Sequence, residues 1–205
     1  MTKLLIGTGN AGKLREIKSI LGDVPYEIVS VADFNDLETP EENGETYNAN
    51  AMLKAASYAR QTTLLTLADD SGLEVEALNW GPGIMSARYA GEDASDADRR
   101  SLLLSEFSKT GSQIRTARFV CFVAIAYPGQ RERPYIMSAT EGICTGEIID
   151  VARGDGGFGY DPLFVPDGYD LTFAELPNEV KNRISHRGRA LSKAREFLIK
   201  YKPQF

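Results

Sequence analysis

The stretch LLIGTGNAGKLREI (residues 4–17) most constrains how this chain can fold. Its first apolar residues predict a buried strand, and apolar residues at helical spacing from Lys13 to Leu21 predict a helix that ends at Gly22. The alternating stretch YEIVSV (26–31) predicts a second strand. The chain therefore opens as a βαβ unit, in which a glycine-rich turn leads into the amino terminus of a helix.

Two known phosphate-binding motifs fit this turn only in part. Its glycines match the dinucleotide pattern G-x-G-x-x-G, and Asp33 follows about 20 residues later, where an acid that binds ribose belongs. The rest of the chain does not repeat the βαβ pattern, which argues against a dinucleotide site. The turn also ends in Gly-Lys like a phosphate loop, but Leu14 stands where that loop needs a hydroxyl to hold magnesium.

A third spacing, T-x-N-x-x-K, is formed by Thr8, Asn10 and Lys13. All three motifs share one physical property, because backbone N–H groups at a helix amino terminus attract phosphate. Lys13 adds a full positive charge. Taken alone, the turn supports a phosphate site and an ordinary strand–helix turn about equally.

The remaining elements follow from hydrophobic periodicity and predict an α/β fold with a mixed sheet, in one domain over residues 1–205 with two lobes. They are a helix over 48–60 and, within 66–78, a strand that ends at Asp69-Asp70, followed by a Ser-Gly turn and another strand. A helix over 95–107 begins with a capping box of Ser95 and Asp98. A hairpin of 116–127 and 135–149 surrounds the turn 128–134, and a last helix over 185–201 has Ser185 as its cap.

Composition excludes several classes of protein. The net charge of −6 argues against a nucleic-acid polymer as partner, because such binding needs a basic face. No apolar run approaches the roughly 20 residues that span a bilayer. The first residues are too few for a signal-peptide core, so we expect a cytoplasmic protein. The two cysteines, Cys121 and Cys144, form no zinc motif.

Acidic residues predict a metal site. Four glutamates crowd the loop of residues 38–45, and Asp69 and Asp70 follow the apolar run LLTLA. Two adjacent carboxylates in a partly buried position repel each other, and a divalent cation would relieve that repulsion. Hard oxygen ligands favour magnesium. Adjacent residues of a strand point in opposite directions, so at most one of these carboxylates faces a given site directly.

Two late segments carry groups that suit a nucleobase. GDGGFGYDPLFV (154–165) places Phe158, Tyr160 and Asp161 in a glycine-rich turn, where rings can stack on a base and the carboxylate can accept a hydrogen bond. A tight turn with core aromatics is about as well supported by this segment alone. KNRISHRG (181–188) adds cations and the single histidine of the chain.

Together, five segments resemble the inosine/xanthosine triphosphate pyrophosphatase family. They are TGNAGK (8–13), EENGETYNANAMLKA (41–55), ADDSGLEVEAL (68–78), GGFGYDPLF (156–164) and KNRISHRGRAL (181–191). The resemblance implies a long mixed twisted sheet flanked by helices, with an active-site cleft between two lobes. It also implies a homodimer that uses Mg²⁺ to hydrolyse deaminated purine nucleoside triphosphates (ITP, dITP, XTP) to monophosphate and pyrophosphate, which keeps them out of DNA and RNA.

The resemblance also implies a role for individual residues. Asp70 would be the proton acceptor and, with Glu41, a metal ligand. The implied substrate contacts are Thr8, Gly9, Asn10, Ala11, Gly12 and Lys13 at the triphosphate, Lys54 and Lys181 as further positive charges, Ser71, and Phe158, Gly159, Tyr160, Asp161, His186 and Arg187 around the base. Tyr160 departs from the tryptophan of many relatives, but both rings stack. Arg88 is a weaker phosphate candidate.

Three other functions remain open from the sequence. A related Maf-type nucleotide pyrophosphatase would act on other modified bases. A nucleotide sensor would bind without catalysis, although Asp70, Glu41 and Lys13 argue against an inactive enzyme. A dinucleotide-dependent oxidoreductase is third, and a nicotinamide or chromophoric cofactor would reveal it.

Overall fold

The computed structural model describes residues 2–129 and 133–201, which form seven strands and five α-helices. The strands are β1 (Lys3–Ile6), β2 (Glu27–Ser30), β3 (Leu65–Val75), β4 (Gly81–Pro82), β5 (Thr116–Tyr127), β6 (Tyr135–Ile148) and β7 (Phe164–Pro166). The helices are α1 (Ala11–Leu21), α2 (Tyr47–Thr62), α3 (Asp96–Thr110), α4 (Asn178–Ile184) and α5 (His186–Lys200).

The strands of the described chain form one mixed sheet in the order β2-β1-β3-β5-β6-β7, with β4 beside β3. β1 is parallel to both of its neighbours, and Leu5 is paired with Val29 of β2 and with Thr66 of β3. β4 is antiparallel to β3, and β7 is antiparallel to β6. The opening βαβ unit and the α/β class with a mixed sheet are therefore confirmed.

The described chain divides into two compact units, and the division falls within β3, β5 and β6 and after the first residue of α5. The first unit contains the described residues up to Asp70, those of 121–142 and those from Arg187 onward. The second contains residues 71–120 and 143–186. A single domain over 1–205, with its active-site cleft, stays a prediction.

In the first unit, the alternation of side chains along each strand separates two apolar layers. On one face, Leu67 of β3 belongs to a cluster with Ile17 of α1 and Leu191 of α5. On the other face, Ala68 packs with the alanines of α2. Small side chains let α2 approach the sheet closely. A Cβ on Gly7 would lie only 2.9 Å from the Tyr58 ring of α2, so this position requires glycine.

The second unit has a core rich in aromatic side chains. Phe119 of β5 packs edge-on against Phe164 of β7, with ring centroids 4.9 Å apart. Leu103 and Phe107 of α3 belong to the same cluster, together with Leu73 of β3. This core therefore joins α3 to the strands next to the glycine-rich segment.

The structure departs from the sequence predictions at two places. Asp69 and Asp70 lie in the middle of one continuous strand, because the residues after Ser71-Gly72 remain extended and bury Leu73 and Val75. The helix α4 was not predicted from the sequence. The Ser95–Asp98 capping box of α3 is confirmed. The predicted turn at 128–134 falls partly on residues 130–132, which lie outside the described residues.

Candidate active site

The glycine-rich turn between β1 and α1 is organised by its own polar side chains. Gly7 donates its N–H to the Leu67 carbonyl of β3 at 2.7 Å, so the turn begins beside the first half of that strand. Asn10 is the N-cap of α1, and its Oδ1 accepts from the Lys13 N–H at 2.9 Å. Thr8 Oγ1 accepts from the Asn10 N–H. The T-x-N-x-x-K spacing therefore shapes the turn by capping the helix.

Asp69 points from β3 towards α1 and α5, and its carboxylate contacts two cations. Its Oδ2 lies 3.2 Å from Lys13 Nζ and 3.2 Å from Arg187 Nε. Arg187 also donates from Nη1 to Glu16 of α1 at 2.7 Å. Burial acts to raise the pKa of Asp69, but the charges of Lys13 and Arg187 outweigh it and hold that pKa below its usual range. Asp69 is thus a buried, ionised anchor for Lys13.

Asp70 points to the opposite face, towards α2. Its Oδ2 accepts from Asn50 Nδ2 at 3.1 Å, and its Oδ1 lies 3.7 Å from Lys54 Nζ. Asn50 and Lys54 are four residues apart, which places them on the same face of α2. Lys54 also contacts Glu42 at 3.0 Å. Burial raises the pKa of Asp70, and nearby Lys54 only partly opposes that effect.

The acidic loop before α2 contributes a different glutamate to this group from the one predicted. Glu42 pairs with Lys54, whereas Glu41 is exposed. Gly44 donates its N–H to Asn50 Oδ1 at 2.8 Å, so the loop is tied to the same helix. Within residues 2–129 and 133–201, no three acidic, histidine or cysteine side chains are placed to hold a metal ion. The predicted metal role of Glu41 stays a prediction.

The second unit holds the predicted base-binding turn around a buried ion pair. Lys181 Nζ lies 2.6 Å from Asp161 Oδ2, and both side chains are almost fully buried. The same carboxylate oxygen accepts from the Phe158 N–H at 2.8 Å. Lys181 Nζ also lies over the Phe158 ring, 5.3 Å from its centroid. Lys181 therefore shares its charge with Asp161 and with this aromatic ring.

The aromatic side chains of this turn differ in exposure. Tyr160 is buried and donates its hydroxyl to the Ser86 carbonyl at 3.0 Å, whereas Phe158 is only partly buried. His186 stacks on Phe119 with ring centroids 4.6 Å apart. Phe158 is thus better exposed than Tyr160 for stacking on a base.

The predicted residues fall into two groups. The first unit contains residues 8–13, Glu41, Lys54, Asp70 and Arg187, and the second contains Ser71, residues 158–161, Lys181 and His186. Their roles at a substrate stay predictions. Sequence reasoning named Glu42 only as one of the four glutamates of the acidic loop, and it did not single out the partners Glu16 and Asn50. The spacing of four between Asn50 and Lys54 was the only local signal, since Glu16 meets a cation 171 residues away.

The first unit combines features that suit a phosphate-bearing ligand. It presents a helix amino terminus, a lysine beside each of two adjacent carboxylates, and a turn in which a Cβ on Gly9 would meet nothing within 4 Å. These features belong to a mixed α/β protein, and their role at a phosphate stays a prediction. A model of the Ham1 family matches residues 4–197, and the chain belongs to that family.

Relatives and solved structures agree with this assignment. A dITP/XTP pyrophosphatase of Geobacter sulfurreducens is 47% identical over 198 residues, which cover 97% of each chain. A Ham1 protein structure from Coxiella burnetii is 38% identical, with a TM-score of 0.84 over 98% of this chain and 100% of that one. A nucleoside-triphosphatase/dITP/XTP pyrophosphatase structure from Mycobacterium abscessus is 40% identical, with a TM-score of 0.72 over 94% of this chain and 98% of that one. The predicted family resemblance is confirmed.

Within residues 2–129 and 133–201, none of the helices has the length and apolar character needed to span a bilayer.

Proposed function

We propose that this protein hydrolyses dITP, ITP and XTP to the nucleoside monophosphate and pyrophosphate, with Mg²⁺ as cofactor and as a homodimer. The relatives named dITP/XTP pyrophosphatase support dITP and XTP as substrates, and the fold that the chain shares with the solved structures supports the transfer of that activity to this chain. The observation that best supports the proposal is the arrangement of two aspartate side chains on β3. Asp69 and Asp70 project to opposite faces, and each has a lysine next to its carboxylate.

The first group of residues suits the triphosphate. A nucleoside triphosphate carries nearly four negative charges, which repel an attacking water unless cations neutralise them. Lys13 lies at the first turn of α1, where the helix dipole also attracts an anion. The contact with Asp69 holds its ammonium in place. Burial acts to lower the pKa of Lys54, but the charges of Asp70 and Asp69 outweigh burial and raise that pKa, so Lys54 stays protonated.

Carboxylate oxygens would suit magnesium at this site. Mg²⁺ at a nucleotide needs only one or two protein carboxylates, because phosphates and waters supply the other oxygens. Asp70 and Glu41 would hold it, and the raised pKa of Asp70 marks a carboxylate whose ionised form a cation would stabilise. When bound, magnesium supplies positive charge to the phosphate oxygens and to the departing pyrophosphate.

Asp70 has two candidate chemical roles. A carboxylate with a raised pKa is a better proton acceptor for water, and Asn50 fixes its orientation through Oδ2. A carboxylate that also binds metal is a weaker base, so its two roles compete. Water attack at the α-phosphorus would release pyrophosphate in either case.

The second group of residues suits the base. Hypoxanthine and xanthine carry a 6-keto acceptor where adenine carries a 6-amino donor. The N–H groups of Phe158, Gly159 and Asp161 are already taken by protein acceptors. Selection would therefore rest on the side-chain donors predicted around the base, His186 and Arg187, with Phe158 stacking on the ring. A site built on such hydrogen bonds rejects the wrong base by roughly 10⁴-fold.

The test is pyrophosphate release from ITP, XTP, GTP and ATP, with magnesium and with a chelator. We expect fast release from ITP and XTP, slow release from GTP and ATP, and loss of all activity on chelation. Release of phosphate would place the attack at another phosphorus and would contradict the proposal. Binding of ITP without turnover would instead indicate a sensor. Sedimentation analysis of the same sample tests the homodimer.

A further inference from the structure

We propose that Asp96 and Arg100 of α3 are positioning residues that set how tightly and how selectively the turn around Phe158 holds a base. Neither residue belongs to the predicted site, and both act through the backbone of Gly159. The inference rests on the proposed function, because it assigns the determinants of base selection in that same site.

The two side chains hold Gly159 from both sides of its backbone. Gly159 donates its N–H to Asp96 Oδ2 at 2.6 Å and accepts from Arg100 Nη1 through its carbonyl at 2.7 Å. Both contacts involve a charged side chain, which makes them stronger than neutral hydrogen bonds. The N–H belongs to the peptide group shared with Phe158, and the carbonyl belongs to the peptide group shared with Tyr160. The hold therefore fixes the backbone on both sides of Gly159.

This segment needs an external hold because its glycines allow many backbone conformations. Gly157 and Gly159 have φ of 70° and 61°, a region that other residues avoid. Inside the turn, Asp161 accepts from the Phe158 N–H and Tyr160 is fixed through its hydroxyl. Neither of those contacts involves the backbone of Gly159, which is held by Asp96 and Arg100.

α3 is a rigid support for this purpose. Asp96 is its first residue, where the helix dipole favours a carboxylate, and its Oδ1 accepts from Arg99 Nη1 at 2.6 Å. The capping box formed by Ser95 and Asp98 fixes the start of the helix. Leu103 of the same helix is fully buried in the core of the second unit. Through α3, the position of the turn is therefore fixed relative to the core of the second unit.

The consequence for a base is geometric. A ring that stacks on Phe158 can present its 6-position to a fixed donor only when the Phe158 backbone is fixed. Loss of the hold should therefore weaken binding and reduce the difference between keto and amino bases, while the chemistry at phosphorus is preserved. The expected signature is a change in KM and selectivity with little change in kcat.

The experiment compares Arg100→Ala and Asp96→Ala with Lys109→Ala, a control on the same helix whose exposed pair with Glu106 does not touch the turn. For Arg100→Ala we expect KM for ITP to rise about tenfold, with kcat within about twofold and the ITP/ATP ratio of kcat/KM about tenfold smaller. Arg100→Lys should recover part of the loss, because the native contact uses one nitrogen. Deuterium uptake of residues 154–163 should be faster in both alanine variants only.

Unchanged KM and selectivity in both alanine variants, in a wild-type enzyme that prefers ITP, would overturn the inference. A lower melting temperature without a change in KM would also overturn it, since that is the result of a merely structural role. If the wild type shows no preference for ITP, the proposed function fails. Deuterium uptake then still reports whether Asp96 and Arg100 hold the turn.

Discussion

Asp69 and Asp70 are consecutive residues of β3, yet their carboxylates lie on opposite faces of the strand and their pKa values shift in opposite directions. Asp69 is paired with Lys13 and Arg187, which keep it ionised. Asp70 accepts from a neutral amide and lies farther from its lysine, so burial raises its pKa. One strand thus supplies both a fixed anion and a carboxylate suited to accept a proton.

Replacement of Asp70 by asparagine should slow catalysis strongly without unfolding the protein. The amide keeps the shape of the side chain but cannot take a proton and binds a divalent cation poorly. We expect turnover of ITP to fall by at least about 10²-fold, with the melting temperature nearly unchanged. Pyrophosphate release and thermal unfolding of the same preparation test this, and turnover near that of wild type would contradict the role.

Asp69→Ala should destabilise the fold. The change leaves Lys13 and the buried guanidinium of Arg187 without their shared carboxylate. Removal of one partner of a buried ion pair costs about 3–5 kcal/mol, so we expect a loss of that size in the free energy of unfolding. Lys109→Ala removes an exposed pair and should cost less than about 1 kcal/mol in the same urea titration. Equal losses would show that Asp69 is no structural anchor.

The stabilising effect of Asp69 should depend on pH in metal-free protein. Because the folded protein holds this pKa below its ordinary value of 3.8, ionised Asp69 stabilises the fold above that value and loses its effect as the pH falls. The difference in free energy of unfolding between wild type and Asp69→Asn should be constant from pH 7 to about 5 and shrink below about pH 4. Urea titrations across this range, with a chelator present, measure it. A difference that grows on acidification would contradict the sign of the shift.

Two glycines of the late turn offer a matched comparison. Both have positive φ, but a Cβ on Gly157 would lie 2.1 Å from Asp161 Oδ2, whereas a Cβ on Gly159 would meet nothing within 4 Å. Gly159→Ala should cost about 1 kcal/mol from backbone strain alone. Gly157→Ala should cost distinctly more, because it also displaces the carboxylate that holds Lys181. Thermal unfolding of the two variants measures the difference, and equal losses would exclude the clash.

Local signals made part of this structure predictable. The capping box of α3 could be predicted, and was confirmed, because Ser95 and Asp98 are only three positions apart in the sequence. The helix after the glycine-rich turn was also predicted from neighbouring residues, because its apolar side chains recur at helical spacing. The continuous β3 was not, since Ser71-Gly72 is typical of a turn when its neighbours in the sheet are unknown. Tertiary burial of Leu73 and Val75 decided the conformation.

Long-range charge partners had no such signal. Arg187 could be assigned by resemblance, but its contact with Glu16 joins residues 171 positions apart. Likewise, Gly159 is held by side chains 63 and 59 residues before it, on a helix that sequence reasoning left without a functional role. The five matched segments identified the family, whereas the pairing of charges required coordinates.

The pairing of Ile6 with Leu67 fixes the register of β3 against β1, so β3 cannot change in length without moving the side chains that follow. A single residue inserted between Leu67 and Asp69 would turn every later side chain to the other face, so Asp69 would take the place of Asp70 and Asp70 would move to the place of Ser71. Compensating point substitutions could not restore the arrangement, because the helices on the two faces carry different partners. Among natural or engineered variants, insertions and deletions should therefore accumulate in the loop of residues 34–46 and avoid this strand entirely.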